Sequence, residues 1–509
     1  METLRIRNIK SFADSGEIAI KPITIFVGKN SCGKSSLMRF LAVLAQTADT
    51  ITDSPIRFYG NMVDYGNYED VKHYGTSEKI CFELKYKIDV SLSRGYYSHF
   101  TDSFRTTYYN SANRKSIDYK DVILKVTLDK PKNRLVVDRI ELVIANKSVY
   151  IIQRTDDKHM SFTVNYIYEK KAYIENTNSI IIPISKIRFE KFLPLYPIED
   201  AIKCIYYNET GKEISETEMS YIHSNISDFG ESKKKGSTLD AKKTVTIMKQ
   251  FRYYANLLWN VYRTYETEIR AVRYIGPFRE DPSRIYRDPE YNSNGVGVHG
   301  ENTSNELIRA YRKKDSDLIK NISKWTKRVL GSEITLKEVT SGMLQIMLKN
   351  EQGFETNIID NGYGISQVLP IVTEVARLST ISDRRNMGPM DRILLIEQPE
   401  LHLHPAAQSE LADLFAECAL MKKYNNRILI ETHSEHLIRK LQVLVASEDC
   451  PLTKDMIRIY YVDKNEDGSS FVKEMALLDN GKFETQWPSG FFDKGYLLSR
   501  ELARAGIRE

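Results

Sequence analysis

The sequence lacks the features that mark secreted, membrane-bound and metal-stapled proteins. Its five cysteines are scattered and form no CxxC pair, which excludes a cysteine metal site and suits a reducing cytoplasm. No apolar run is long enough to span a bilayer, and the N-terminus alternates like a strand instead of carrying the apolar core of a signal peptide. We therefore expect a cytoplasmic protein with no membrane association.

The sequence also has little excess of either charge and no visible repetition. The net charge is only +5 over 509 residues, which permits contact with nucleic acid without arguing for it. No heptad pattern is sustained, which excludes long coiled-coil arms, and no internal repeat is visible. The length suffices for two to four domain-sized units with a large hydrophobic core.

What the sequence does contain is a complete phosphate-binding loop over residues 28–35, with the pattern Gly, four residues, Gly-Lys-Ser. An apolar strand-like run precedes the loop, and an amphipathic helical pattern follows it. This pattern predicts that Lys34 reaches the β- and γ-phosphates of a nucleotide and that the Ser35 hydroxyl binds Mg²⁺. The residues expected to bind the nucleotide are Gly28, Lys29, Asn30, Ser31, Cys32, Gly33, Lys34, Ser35 and Ser36.

Two further apolar runs end in polar residues. Residues 393–396 are followed by Glu397, and an acid at the end of an apolar strand beside a phosphate loop holds Mg²⁺ through water. Residues 427–431 are followed by His433, which is placed to point at a γ-phosphate. We therefore expect both strand ends to meet the phosphate loop.

A second anion site is predicted at residues 361–367, where two glycines and a serine precede an apolar helix. Gly364 and Ser366 are the residues expected to contact the anion. This motif alone is a weak signal for an anion site. The signal is stronger because the motif lies between the phosphate loop and the strand-end acid Glu397 along the chain.

Together these segments resemble the ABC-type ATPase heads of the RecF, Rad50/SMC and OLD group. Residues 4–12 look like their opening strand, and residues 362–367 stand where their signature motif belongs. Residues 397–405 are similar to their Walker B motif and D-loop, and residues 431–434 to their switch-histidine segment. The resemblance covers about residues 1–75 and 270–500.

Residues 274–279 and 487–492 further resemble single-headed bacterial ATPases of this group, many of which are linked to antiphage defence. The PtuA-type ATPases of Septu and related retron systems are similar. The resemblance implies an α/β fold, an ABC-ATPase head with a mixed sheet, split by a large α+β insertion. We expect the head in residues 1–75 and 271–509, and a β-rich, then helical, partner or regulatory insertion in residues 76–270.

The resemblance also implies a head-to-tail dimer, or a higher oligomer, that closes around ATP and Mg²⁺. Lys34, Ser35 and Glu397 of one chain would then face Gly364 and Ser366 of the other. The implied function is regulation of a separate effector, a nuclease or toxin, in antiphage defence. The alternatives are a RecF- or Rad50-type repair clamp on duplex DNA and a housekeeping NTPase. Contact with DNA or RNA is compatible with each.

Two positions depart from the family pattern. The signature motif is degenerate, and Gln398 stands where the family has its catalytic glutamate. Glutamine cannot act as a general base, although it can orient water. We therefore expect slow hydrolysis, with Glu400 or Glu431 as a substitute base. A tolerated variant with normal turnover is the alternative.

Three other patterns have competing interpretations. Four histidines, at 402, 404, 433 and 436, could suggest a zinc site, but their spacing is not that of a helical metal site. Arg279, Arg284 and Arg287 are interpreted as a solvated loop rather than a binding surface. Residues 463–468 are predicted to form a hairpin turn, so we expect no nuclease domain in this chain.

Overall fold

The computed structural model describes residues 1–90, 119–167, 173–226, 238–290, 293, 295–380, 391–421, 425–488 and 494–506. The sequence predicts a loop in the polar, Tyr-rich segment over 91–113 and a linker in the lysine run over 233–237. Both segments, and the end of the 487–492 motif, lie outside the described residues.

Strands and helices alternate along much of the chain. The strands are β1 (Thr3–Ile9), β2 (Phe12–Asp14), β3 (Ile18–Ala19), β4 (Ile23–Gly28), β5 (Ile80–Asp89), β6 (Tyr119–Asp129), β7 (Val136–Ile144), β8 (Lys147–Arg154), β9 (His159–Ile167), β10 (Tyr173–Pro183), β11 (Arg188–Glu190), β12 (Leu193–Leu195), β13 (Val272–Ile275), β14 (Tyr286–Arg287), β15 (Ser332–Thr340), β16 (Met343–Asn350), β17 (Glu355–Asn357), β18 (Asp391–Glu397), β19 (Asn425–Glu431), β20 (Ile457–Lys464) and β21 (Ser470–Glu474). The helices are α1 (Lys34–Ala48), α2 (Tyr68–Val71), α3 (Ile198–Thr210), α4 (Glu216–Ile226), α5 (Leu239–Arg270), α6 (Thr303–Arg312), α7 (Ser316–Leu330), α8 (Gly364–Thr380), α9 (Pro405–Ala419), α10 (Glu435–Ala446) and α11 (Lys494–Gly506).

A six-stranded sheet forms the centre of the head, in the order β13-β18-β19-β4-β20-β21. The first five strands are parallel and β21 is antiparallel, which confirms the predicted hairpin between the last two. Every residue of β4 is buried, as parallel strands covered on both faces require. Along β18, Ile393 and Leu395 pack into one core, whereas Leu394 and Ile396 pack into a second core on the other face.

A nine-stranded antiparallel sheet covers the first of these cores. Its order is β10-β9-β8-β7-β6-β5-β1-β2, with β3 also pairing with β1. The apolar stripe that includes Met248, Phe251 and Tyr265 predicts one long packed helix. The structure confirms it as α5, whose 32 residues bury all three side chains. It packs on α1, α3 and α4 and on strands β5, β6 and β9. The second core holds α6 to α10 and a four-stranded sheet of β14 to β17.

The predicted division of the chain at residues 75/76 and 270/271 stays a prediction. The pairing of β1 with β5 joins segments on either side of the first position in one sheet. In the described part of the chain, no helix combines the length and apolarity needed to cross a bilayer.

Candidate nucleotide-binding site

The phosphate loop connects β4 to α1, at the carboxyl edge of the six-stranded sheet. Gly28 has φ 145° and Gly33 has φ 98°, both outside the range that side chains favour. A Cβ at Gly28 would lie 2.0 Å from the carbonyl oxygen of Val462, and one at Gly33 would lie 2.4 Å from the Ser11 hydroxyl. Only glycine fits at these two points, so the loop's close backbone curvature depends on them.

Lys34 begins α1 with its side chain buried against the loop. Its ammonium donates hydrogen bonds to the carbonyl oxygens of Gly28 at 3.1 Å and Lys29 at 2.7 Å. The Cys32 thiol also donates to the Lys29 carbonyl oxygen, at 2.9 Å, and burial raises its pKa. Cys32 therefore stabilises the loop as a thiol, and Lys34 carries the positive charge.

A cleft of about 600 Å³ opens above the loop, within the range of small-molecule sites. It brings together most of the residues predicted from the motifs. Its lining comprises Lys10, Ser11, Asn30, Ser31, Gly33, Lys34, Ser35, Ser36, Asp70, Lys72, Tyr74, Gln398, Glu431 and His433. Glycine curvature, a buried lysine and the start of a helix make this an anion-binding cavity suited to a phosphate chain.

Glu397, the predicted magnesium ligand, is buried, and both of its carboxylate oxygens accept hydrogen bonds from other side chains. Arg39 binds it through two parallel hydrogen bonds of 2.5 Å each, and the Tyr274 hydroxyl donates to it at 2.8 Å. Burial and the Glu397 charge raise the pKa of Tyr274, so its hydroxyl stays a donor. Neither Arg39 nor Tyr274 was predicted to belong to the site. Arg39 lies five residues after Lys34, on the same helix.

Glu431 ends the neighbouring strand and does line the cleft. Burial and the nearby charge of Glu397 raise the pKa of its carboxyl to about 7, while Ser35, Lys34 and Arg39 lower it. Its Oε1 atom lies 3.8 Å from the Lys34 ammonium, and its Oε2 atom is buried without a hydrogen-bond partner. A carboxylate oxygen with no partner, beside a serine hydroxyl, suits Mg²⁺, which prefers hard oxygen ligands.

Gln398 and His433 occupy the mouth of the cleft between these strand ends. Gln398 has φ 44°, an uncommon value for a side chain of its size, and its N–H donates to the Glu431 carbonyl oxygen at 2.7 Å. Burial, with the charge of Lys34, lowers the pKa of His433, so its imidazole is neutral at neutral pH. The backbone N–H of His433 donates to Glu400 at 2.6 Å. Burial raises the pKa of Glu400.

The predicted signature segment lies outside the cleft. Gly364 begins α8, and the buried Ser366 hydroxyl donates to the Tyr363 carbonyl oxygen at 2.7 Å. A Cβ at Gly364 would meet Leu403 at 3.3 Å and the His402 carbonyl oxygen at 3.4 Å, so this segment packs on its own chain's D-loop. The cleft of one chain is therefore formed by its phosphate loop and strand ends. The signature residues of the same chain do not line it.

Comparison with known families decides the identity of this fold. The AAA_15 family model, described as an AAA ATPase domain, matches residues 1–438. The chain belongs to this family. The predicted α/β ABC-type head and the predicted ATP-binding ATPase are therefore confirmed. No curated protein matches the sequence.

Solved structures of SMC heads are similar to this AAA ATPase domain only at a low level. An SMC head bound to the C-winged helix domain of ScpA is 12% identical, with a TM-score of 0.37, and covers 94% of this chain and 97% of its own. An SMC head of Pyrococcus furiosus, bound to the C-terminal domain of ScpA, is 11% identical, with a TM-score of 0.37 and 99% of each chain covered. The SMC head of Thermotoga maritima is 9% identical, with a TM-score of 0.32, and covers 93% of this chain and 97% of its own. Likeness at this level carries no argument about function.

Arg279 is a residue of this AAA ATPase domain whose place the sequence interpretation missed. It is buried rather than solvated, and burial lowers its pKa to about 10. Its guanidinium donates to the Gln367 side chain at 2.9 Å and to the Glu397 carbonyl oxygen at 2.7 Å. Arg279 thus ties α8 to the end of β18. Arg284 and Arg287 are exposed, as expected, and Arg284 pairs with Asp360.

The four histidines that could suggest zinc do not gather into a metal site. Among the described residues, no group of three His, Cys, Asp or Glu side chains is placed to hold a metal ion. His433 lines the nucleotide cleft, whereas the ring of His402 lies 6.0 Å from the exposed Tyr363 ring. These positions associate the histidines with the ATPase motifs.

Proposed function

We propose that this ATPase is a nucleotide-controlled switch that forms a head-to-tail dimer around ATP. The observation that supports the proposal is that the two halves of the expected nucleotide site, the phosphate loop and the signature segment, are separated within one chain. The cleft holds Lys34 and Ser35, whereas Gly364 and Ser366 lie outside it. Because Tyr363 is 66% exposed beside the start of α8, this surface is open to a second copy. ATP bound in one cleft would then complete its contacts on the signature segment of the other chain.

In this proposal the chain's own residues bind and orient the nucleotide. Backbone N–H groups of the loop and the Lys34 ammonium bind the phosphates, and neutral His433 faces the γ-phosphate position. Ser35 and a carboxylate at a strand end would hold Mg²⁺, which would supply positive charge to the phosphates. ATP stabilises the closed dimer because it contacts both chains only in that state.

Turnover in this switch is slow because Gln398 holds the position of the catalytic base. A glutamine at the cleft mouth can orient a water molecule but cannot accept its proton. Glu431, which lines the cleft, and Glu400, which accepts a hydrogen bond from the His433 N–H, are the acids that we propose as substitute bases. A long-lived ATP-bound state follows, and it suits a signalling role better than a cycling motor.

The task that we propose for the switch is control of a separate effector, a nuclease or toxin, in antiphage defence. This assignment rests on the resemblance of residues 274–279 and 487–492 to defence ATPases. The effector would remain inactive while held by the ATP-bound dimer. Hydrolysis or nucleotide loss would release the contact.

Measurement of mass in solution tests the dimer. The wild-type chain should double its mass in ATP and Mg²⁺ and return to a monomer in their absence. Gly362→Asp places a negative charge on the exposed signature segment, where a side chain meets nothing within 4 Å. This variant should bind ATP normally and stay monomeric. Asn208→Asp adds the same charge at an exposed position on α3; it is the control and should dimerise. A wild-type chain whose mass does not respond to ATP contradicts the switch.

Affinity capture from the native host in ATP tests the task. A stoichiometric nuclease or toxin supports the defence role and identifies the effector. Retention of DNA alone, lost as salt rises, would instead indicate the repair clamp, since phosphate contacts release counterions. A housekeeping NTPase would retain neither.

A further inference from the structure

Two glutamates end neighbouring strands of the six-stranded sheet. Glu397 ends β18, Glu431 ends β19, and the two residues are direct partners in the strand register. Glu431 is also paired with Phe26 of β4, the strand that leads into the phosphate loop. Since adjacent strands lie about 4.8 Å apart, Glu431 is one strand spacing nearer to the loop than Glu397.

Both carboxylate oxygens of Glu397 already accept hydrogen bonds from side chains. Its Oε1 atom accepts hydrogen bonds from Arg39 Nε and the Tyr274 hydroxyl, and its Oε2 atom accepts one from Arg39 Nη2. A bidentate arginine–carboxylate pair is among the strongest side-chain contacts. Glu397 is also absent from the lining of the cleft. A metal at Glu397 would have to compete with this pair for the same carboxylate, from outside the cleft lining.

Glu431 has the opposite environment. It lines the cleft together with Lys34 and Ser35, and only 4% of its surface is exposed. Within the described part of the chain, its Oε2 atom is buried and accepts no hydrogen bond. A buried carboxylate oxygen without a partner carries a desolvation cost that a cation or its bound water would offset.

We propose that Glu431, together with Ser35, is the acid that holds the hydrated Mg²⁺ of the ATP complex, and that Glu397 anchors Arg39 instead. The proposal rests on ATP binding in the cleft. A carboxylate, a hydroxyl and the phosphate oxygens supply the hard oxygen donors that Mg²⁺ requires, with water completing its shell. Glu397 then fixes α1, through Arg39, against the end of β18.

The test titrates Mg²⁺ while the affinity for a fluorescent ATP analogue is measured. Glu431→Gln keeps the shape of the side chain and should need at least tenfold more Mg²⁺ than the wild type to reach tight binding. In EDTA its affinity should equal or exceed that of the wild type, because a negative charge beside the phosphates has been removed. Glu397→Gln should keep its Mg²⁺ requirement within threefold of the wild type.

Mn²⁺ gives a second readout, because its spin resonance spectrum reports the metal bound in the nucleotide complex. Glu431→Gln should lose the bound signal at Mn²⁺ concentrations that saturate the wild type. Glu435→Gln is the matched control, since Glu435 lies at the start of α10, pairs with Arg439 and is outside the cleft lining. If Glu431→Gln does not fold, Glu431→Asp should still raise the Mg²⁺ requirement.

Two results overturn the assignment of Glu431. One is a larger Mg²⁺ requirement for Glu397→Gln alone, and the other is an equal shift in both variants. A wild-type chain that binds no ATP at any Mg²⁺ concentration would overturn the proposed function as well. Failure of ATP binding is therefore distinguishable from failure of the metal assignment.

Discussion

The six-stranded and nine-stranded sheets place their charged residues in contrasting ways. In the six-stranded sheet, Lys34, Glu397 and Glu431 meet at one edge and are each buried. Beside the nine-stranded sheet, Lys79, the partly exposed residue before β5, pairs with Asp129 of β6 and Asp138 of β7. Parallel strands all end at the same edge, whereas antiparallel strands distribute their ends over both. Strand direction thus decides whether charges gather into a site or form separate surface pairs, each of which contributes little.

The largest expected effect separates the two sheets directly. Lys34→Ala removes the buried ammonium of the cleft and should weaken ATP binding by about 100-fold or more, the weight of a buried charge-assisted contact to phosphate. Lys79→Ala, just before β5 of the nine-stranded sheet, should change ATP affinity by less than about twofold, because Lys79 does not line the cleft and solvent screens its ion pairs. Equilibrium binding of a fluorescent ATP analogue compares the two. Similar losses in both variants would remove the functional distinction between the sheets.

The next effect concerns hydrolysis at the edge of the six-stranded sheet. Gln398→Glu supplies a carboxylate at the cleft mouth and should raise the rate of ATP hydrolysis at least about tenfold, since general bases contribute about 10²- to 10⁴-fold. Steady-state phosphate release is the measurement. Gln345→Glu, on β16, is the control and should hydrolyse ATP at the wild-type rate. An unchanged or lower hydrolysis rate for Gln398→Glu would contradict the explanation that turnover is slow because Gln398 replaces the catalytic glutamate.

A smaller effect is expected where α8 meets the six-stranded sheet. Arg279→Gln loses the guanidinium that joins Gln367 to the Glu397 carbonyl oxygen, so the signature segment is positioned less firmly. ATP-dependent dimerisation should weaken by about tenfold, the value of one hydrogen bond to a charged group. The affinity of the single chain for ATP should change by less than about twofold.

The exposed Arg284→Gln is the matched control for this residue, because its partner Asp360 is also at the surface. It should dimerise like the wild type. The measurement is the dimer dissociation constant beside the ATP dissociation constant. Equal weakening of both constants by Arg279→Gln would indicate a general loss of structure instead of a positioning role.

The strands of the six-stranded sheet could be predicted from the sequence, whereas the side-chain contacts at the edge of this sheet could not. Continuous apolar runs identify buried parallel strands, and the phosphate loop follows its strand within a few residues, so both signals are local. The engagement of Glu397 by Arg39 depends on residues 358 positions apart. The burial of Arg279 likewise depends on Gln367, 88 residues away. No local sequence pattern reveals such long-range contacts. From its polar, proline-containing surroundings alone, Arg279 is therefore predicted to be a solvent-exposed arginine.

The smallest effect is expected in the helices that pack beside the nine-stranded sheet. Hydrogen bonds from Ser215 and Tyr206 lower the pKa of Glu218, on α4, to about 2. Its folded pKa is below the unfolded value of 4.5, so its contribution to stability is present above pH 4.5 and is lost as the pH falls towards 2.

Glu218→Gln should therefore lower Tm by about 1–3 °C at pH 7, because one acceptor oxygen is lost at a largely solvated site. This difference from the wild type should stay constant between pH 5 and 8 and shrink below about pH 4.5. Scanning calorimetry at each pH measures it, with Glu216→Gln, an exposed neighbour on the same helix, as the control. ATP affinity should not change in either variant. A shift in ATP affinity would mean that these helices are coupled to the cleft. The two sheets would then differ in how they pack, but both would contribute to nucleotide binding.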